Sequence, residues 1–228
     1  GGAEKQAIID ANRFSADNNV YVITFQTGPL KGLINPKVKL IILEKKGYLR
    51  TACQFRKILG KYRIELVHAH LYAPMVVSAL ACLFTRVGVV WNFHSHSYQD
   101  VRKSRPGQRH TSKLPSVKRI LFPCNELLQY YEKENYKLPK KKLNVVYNSC
   151  QIAEAINRSN GNDNVFIIGY IGRLVSLKRL HLLIELGKQF KENGLKNWEI
   201  WIVGDGPELQ NLTRLTAKNN MGDKVVFH

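Results

Sequence analysis

Short apolar runs alternate with amphipathic stretches along the whole chain, most clearly over residues 165–212. Val165 to Ile171 is an apolar run closed by Gly172, and Arg173 and Lys178 follow at the turn into a helix. In that predicted helix Leu180, Leu183, Ile184, Gly187 and Phe190 recur at three- and four-residue spacing, the stripe of a helix that buries one face. A second run, Trp198 to Val203, ends at Gly204-Asp205-Gly206-Pro207, where Pro207 suits the first turn of the next helix. Two such units in succession predict a parallel sheet wrapped by helices. Ligands of these sheets bind beyond the carboxyl ends of the strands, where Arg173 and Lys178 fall, so an anionic ligand is expected.

The earlier part repeats the alternation. Gly1-Gly2-Ala3-Glu4 leads into a helical pattern with Ala7, Ile8, Ala11 and Phe14 on one face. Glycines ahead of a helix let backbone N–H groups approach a phosphate at its positive end. Short strands are predicted at Val20 to Thr24, Val38 to Leu43, Leu66 to His70, Val87 to His94, Arg119 to Cys124 and Leu143 to Tyr147. Helices are predicted at Tyr48 to Leu59, Pro74 to Phe84 and Asn125 to Asn135, and a loop rich in Arg, Lys, Pro and Gly at Ser95 to Ser116. Gln151 to Asn164 has linker composition, which divides the chain into residues 1–150, a linker 151–164, and residues 165–228.

Charge sharpens this division. Of the formal net charge of +18, residues 1–150 carry +16 and residues 151–228 only +2. Such asymmetry suits an anionic surface, nucleic acid or phospholipid, or else a solvated basic face with no partner. The helix carrying Arg50, Arg56 and Lys57 is basic and amphipathic, and it fits a membrane surface or a solvated outer face. No apolar run is long enough to span a bilayer and no signal peptide is present. Cys53, Cys82, Cys124 and Cys150 lie far apart, as in a reduced cytosolic protein.

Two His-x-His pairs stand at strand ends, His68/His70 and His94/His96. The spacing puts each pair on one face, a geometry able to bind zinc. No Asp or Glu adjoins either pair, and strand-end histidines more often hydrogen-bond a polar ligand, so no metal is expected.

Four places together resemble glycosyltransferase family four, an α/β family of GT-B type with two Rossmann-like parallel-sheet domains. They are the Gly1-Gly2-Ala3-Glu4 start, the strand ends Leu66-Val67-His68-Ala69-His70 and Trp91-Asn92-Phe93-His94, and the strand Val145-Val146-Tyr147-Asn148. The fourth and most specific is Ile171-Gly172-Arg173-Leu174 with Lys178 and Val203-Gly204-Asp205-Gly206-Pro207. The resemblance implies an N-terminal acceptor-side domain lacking its first strand, and a partial nucleotide-sugar domain that stops before the family's paired glutamates. On that ground the 228-residue piece alone is expected to be inactive.

The resemblance further implies transfer of a sugar from a nucleotide-sugar donor to a saccharide or lipid-linked acceptor, with retention at the anomeric carbon. Arg173 and Lys178 would hold the charge that develops on the leaving diphosphate, each contact contributing about 1.5–3 kcal/mol. Backbone amides of Gly1 and Gly2 would face the same phosphates. His94 would orient the transferred sugar or stabilise charge rather than act as a strong base. Gly172, Asp205 and Gly206 complete the candidate pocket, with Asp205 serving the turn before a helix. Side-chain cations do this work, and the sequence has no Asp-x-Asp motif, so neither metal nor cofactor is expected beyond the donor. The wider expectation is bacterial cell-surface polysaccharide synthesis in the cytoplasm or on the inner membrane face.

Two positions depart from the family pattern. Arg179 follows the lysine where glycine is frequent, and Ser149 follows Asn148 where glycine is common. Three other readings keep parts of the evidence: a GT-B sugar-nucleotide epimerase, a non-catalytic sugar-nucleotide binder or partner subunit, and a basic nucleic-acid module. The last lacks any nucleic-acid-binding motif, so no nucleic acid is expected.

Overall fold

The computed structural model describes residues 2–95, 101–149 and 165–228, with backbone alone for 101–105. Gly1, His96, Cys150 and the predicted linker 151–164 lie outside the described residues. Two compact units divide at Ile152/Ala153, within the predicted linker.

Unit 1 begins with helix α1 (Gly2–Phe14), followed by strands β1 (Tyr21–Thr24) and β2 (Lys39–Ile42), which form a parallel pair. The chain continues through α2 (Tyr48–Lys61), β3 (Leu66–His70), α3 (Tyr72–Ala81), β4 (Gly88–Asn92), α4 (Val101–Thr111), β5 (Val117–Phe122), α5 (Asn125–Lys133) and β6 (Leu143–Val145). Strands β3-β4-β5-β6 pair in that order, all parallel. Each crossover between parallel strands needs a connection long enough to return the chain, and α3, α4 and α5 supply it. Trp91, Ile120, Phe122, Val89 and Met75 are fully enclosed at the centre. Phe93 stacks on Phe122 with ring centroids 5.0 Å apart, and Tyr131 meets both rings edge-on.

Unit 2 is the predicted double repeat. Strand β7 (Phe166–Ile171) leads through a 3-10 turn (Ser176–Lys178) to α6 (His181–Glu192), then β8 (Trp198–Val203), α7 (Leu209–Lys218) and β9 (Val225–Phe227). The three strands are parallel in the order β7-β8-β9. Gly187 brings α6 close to the sheet: a Cβ there would lie 3.1 Å from both Trp198 and Ile200. The resulting core holds Leu174, Ile184, Trp198, Ile200, Ile202 and Met221.

Three sequence expectations change. The segment predicted as a loop, Ser95 to Ser116, contains α4 despite Pro106 within it. Tertiary packing overrides the local signal here. The bare Gly107 lets the Tyr72 hydroxyl pack where a Cβ would stand, and Gln108 donates to the Met75 sulfur at 3.7 Å. Pro207 stands ahead of α7 rather than in its first turn. The Glu208 N–H donates to the Leu174 carbonyl and the Leu209 N–H to the Gly206 carbonyl, so the helix starts only at Leu209. Strand β5 begins at Val117, two residues early, because Val117, Ile120 and Phe122 are the positions the core takes in.

Candidate functional site

In unit 2 the two glycine turns are laced backbone to backbone. The Gly172 N–H donates to the Val203 carbonyl at 3.0 Å, and the Leu174 N–H to the Asp205 carbonyl at 2.9 Å. A Cβ on Gly204 would strike the Gly172 carbonyl, and one on Gly206 the Leu174 carbonyl. Gly204 also holds φ +138°, a region that glycine alone enters freely. The two glycines of Gly204-Asp205-Gly206 are thus set by the close approach of a neighbouring loop. Asp205 caps its own turn, its Oδ1 accepting from the Gly206 N–H at 2.7 Å. Between these turns Leu174 is fully buried, which anchors the segment that carries Arg173 and Lys178.

Arg173 and Lys178 are both exposed, and among the described residues neither makes an ion pair. Tyr170 donates its hydroxyl to the Arg173 carbonyl at 3.1 Å, fixing the backbone while leaving the guanidinium free. Arg179, next in line, is in the left-handed conformation with φ +50° and ψ +39°. That backbone favours glycine, so Arg179 carries a strain that glycine would not.

In unit 1 a second group of polar side chains gathers at the carboxyl ends of β3 and β4. Strand periodicity puts His68 and His70 on the same face, and the β3–β4 register sets His70 opposite Asn92. Two residues on, His94 turns back so that its Nε2 lies 2.8 Å from His70 Nδ1, one nitrogen donating and the other accepting. His68 and His70 rings are 4.3 Å apart, and those of His70 and His94 are 5.0 Å apart and stacked. Helix α1 closes the group. Asp10 lies with His68 and His70 so that one ligand-type atom from each falls within 4.8 Å of the others. The buried Gln6, one turn earlier, donates to Asp10 Oδ1 at 2.9 Å.

Burial pushes all three imidazoles towards the neutral form. His70 is lowered to about 3, first by burial and then by the like charges of His68 and His94. His68 is lowered by burial, against the opposing pull of Asp10. His94 is lowered by burial and by His68, while Asp10 and Glu4 act to raise it. At neutral pH His94 is therefore a hydrogen-bonding imidazole and not a fixed cation.

Local backbone adds tension here. Leu71, directly after His70, has φ +68° and ψ +161°, a combination otherwise left to glycine. The same geometry occurs at Gly47 ahead of α2, where glycine meets it without cost. Sequence periodicity found His68, His70 and His94. It missed Asp10 and Gln6, because nothing in the local pattern of α1 says which residues sixty positions later it will face. The statement that no carboxylate stands beside the histidines holds along the chain and fails in space.

Of the other sequence candidates, Gly2 begins α1 with open space around its Cα, while Gly1 lies outside the described residues. Gly172 is held in the laced turn, with the Tyr170 hydroxyl 2.8 Å from where a Cβ would stand. Arg56 is committed elsewhere: its guanidinium donates to the Ala81 carbonyl at 2.8 Å and to the Leu83 carbonyl, capping the end of α3. That bonding ties down one of the three cations assigned to a membrane-facing helix. Arg50 and Lys57 remain exposed. No helix among the described residues is long and apolar enough to cross a membrane.

Comparison with known proteins supplies the frame for these two groups. No curated protein sequence matches the chain. Among solved structures, Anabaena Alr3699/HepE in complex with UDP superposes with a TM-score of 0.77 at 18% identity, over 100% of this chain and 65% of that one. A glycosyltransferase from Rickettsia africae ESF-5 follows at 0.74 and 20%, over 100% and 64%. A putative UDP-N-acetylglucosamine 2-epimerase from Listeria monocytogenes gives 0.62 at 9%, over 99% and 64%. At these identities the likeness is one of fold, the GT-B type, and this chain spans about two thirds of the length of each. The model described as Glycosyltransferase Family 4 matches residues 1–153, and that described as Glycosyl transferases group 1 matches residues 151–228. On these matches the chain belongs to glycosyltransferase family 4.

Proposed function

We propose that the protein carrying this chain transfers a sugar from a nucleoside-diphosphate sugar to a hydroxyl of a saccharide or lipid-linked acceptor, with retention at the anomeric carbon. The observation that carries this reading is the pair of exposed cations, Arg173 and Lys178, held on a laced backbone at the carboxyl ends of β7 and β8. As the bond from the anomeric carbon to the diphosphate breaks, negative charge grows on the phosphate oxygens. Preorganised cations stabilise that charge more than they stabilise the ground state. The acceptor oxygen forms the new glycosidic bond, and its proton passes to the departing diphosphate.

In this reading the backbone amides of Gly1 and Gly2 are the candidates in unit 1 for contact with a phosphate. His94, neutral and braced by His70, hydrogen-bonds the sugar being transferred. The diphosphate is neutralised by side chains and requires no bridging divalent ion, which agrees with the lack of an Asp-x-Asp motif. The UDP bound in the Anabaena structure supports a uridine donor. The exposed Leu49, with the exposed Lys45 and Arg50 near it in the chain, supports a peripheral seat on anionic lipid, each near-surface cation adding about 1 kcal/mol.

The test is product analysis on the full-length protein with a panel of UDP-sugars, with and without saccharide acceptors. Glycoside of retained anomeric configuration, formed only when acceptor is present, is the expected result. Conversion of donor alone into its epimer would instead select the epimerase reading, whose fold this chain also shares.

A further inference from the structure

We propose that Asp10, His68 and His70 form a binding site for one transition-metal ion of borderline softness, Zn2+ in the first instance. Two imidazoles and a carboxylate are a ligand set that zinc accepts, with a fourth position left to water or substrate. Ligand atoms around a tetrahedral zinc lie roughly 3.3–3.6 Å apart given bonds of about 2.0–2.2 Å. Here they fall within 4.8 Å of one another, a gap that small side-chain rotations close.

Three further features make this a built site rather than a chance cluster. His68 Nε2 is buried and has no hydrogen-bond partner among the described residues, so a polar atom is held in the interior with nothing yet to satisfy it. Gln6, itself buried, grips Asp10 Oδ1 and leaves Oδ2 for an ion. His70 uses Nδ1 towards His94, which leaves Nε2 as its metal-facing atom. Gln6 and His94 then stand as the outer partners that orient a carboxylate and an imidazole ligand.

One consequence touches the reaction and rests on the sugar-transfer reading. With the ion on Nε2, His70 must carry its proton on Nδ1 and donate it to His94. His94 then keeps its own proton on Nδ1, so the metal sets the tautomer that meets the sugar.

The site itself is tested without any activity. Chelator-treated full-length protein is titrated with Zn2+ against a chromophoric competitor, and with Co2+ while visible absorption is followed. One equivalent of Zn2+ and an intense four-coordinate Co2+ band are expected. Asp10→Asn and His68→Gln should each weaken binding at least 10-fold and abolish the band, with circular dichroism unchanged. Gln6→Ala should weaken it by about 10- to 100-fold while keeping the stoichiometry. If His68→Gln fails to fold, Asp10→Asn carries the test. Binding by the native protein no tighter than by Asp10→Asn overturns the proposal, because it leaves no role for the carboxylate. A Co2+ spectrum unaltered by both substitutions overturns it equally, since the ion then sits on other side chains. Absence of sugar transfer leaves each of these readouts intact, so the two proposals fail separately.

Discussion

Arg173 and Lys178 in unit 2 stand in solvent on a backbone that is locked, whereas His68, His70 and His94 in unit 1 are drawn inward and locked by one another. The first arrangement places exposed cations on a main chain held by its own hydrogen bonds. Its precision comes from glycines that allow two loops to touch. The second arrangement places aromatic rings within 4.3–5.0 Å of each other, and burial removes their charge. Charge is thus kept where water can relax around it, and neutral hydrogen-bonding groups are kept where it cannot. The comparison predicts that perturbing main chain will matter most in unit 2 and perturbing protonation most in unit 1.

The largest effect should come from the lacing itself. Gly204→Ala forces a Cβ into the Gly172 carbonyl and strains a positive φ, and should destabilise unit 2 by about 2–4 kcal/mol. Hydrogen exchange would show the loss confined to amides of β7, β8 and α7. A uniform loss over both units would break the picture of independent construction.

Removal of the cations should act on turnover and spare the fold. Arg173→Ala and Lys178→Ala should each lower kcat/KM for a nucleotide sugar by roughly 10- to 150-fold, the range set by about 1.5–3 kcal/mol per charge-assisted contact. Thermal melting should stay within a degree or two, because neither side chain has an ionic partner among the described residues. Large loss of stability would return both residues to a structural role.

Protonation supplies the next test. His68, His70 and His94 all have folded pKa values below the unfolded 6.5, so the unfolded chain binds more protons than the folded one below that pH. Their contribution to stability is complete above about pH 6.5 and is lost as pH falls towards 3. In metal-free protein, denaturant midpoints should therefore drop on acidification, by roughly 1.4 kcal/mol per pH unit for each proton refused. His70→Gln should flatten the slope. An unchanged slope would mean that the cluster opens to water before it titrates.

The smallest change is a gain. Arg179→Gly removes left-handed strain on an exposed side chain and should raise stability by about 0.5–1 kcal/mol. Leu71→Gly offers the same relief in unit 1. It should also loosen the residue that follows His70, so that stability gained there comes with weaker hold on His94.

How far the chain can be read without its fold differs between the units for a physical reason. In unit 2 strand, turn and helix follow within fifty residues. The apolar runs, the Gly204-Asp205-Gly206-Pro207 turn and the helical stripe are all local signals, and their order already implies a parallel sheet. Even there, local signals place Pro207 inside a helix, because the carbonyl that draws Glu208 away belongs to Leu174. In unit 1 the basic segment after His94 reads as a loop by composition. It forms α4 because Tyr72 packs against the bare Gly107 and Gln108 donates to the Met75 sulfur. Arg56 shows the converse: it reads as a surface cation, yet it caps α3 from another helix.

Periodicity, glycine turns and charge placement by themselves determined the α/β class and singled out a linker at 151–164 and Arg173 and Lys178 as candidate cations, since each is a property of neighbours along the chain. Only the tertiary structure decided that Asp10 and Gln6 meet His68 and His70, that His94 leans on His70, and that these imidazoles are neutral. Those are matters of distance and burial between segments far apart in sequence. Coulombic and desolvation energies depend on where side chains end up and not on the order in which they were joined.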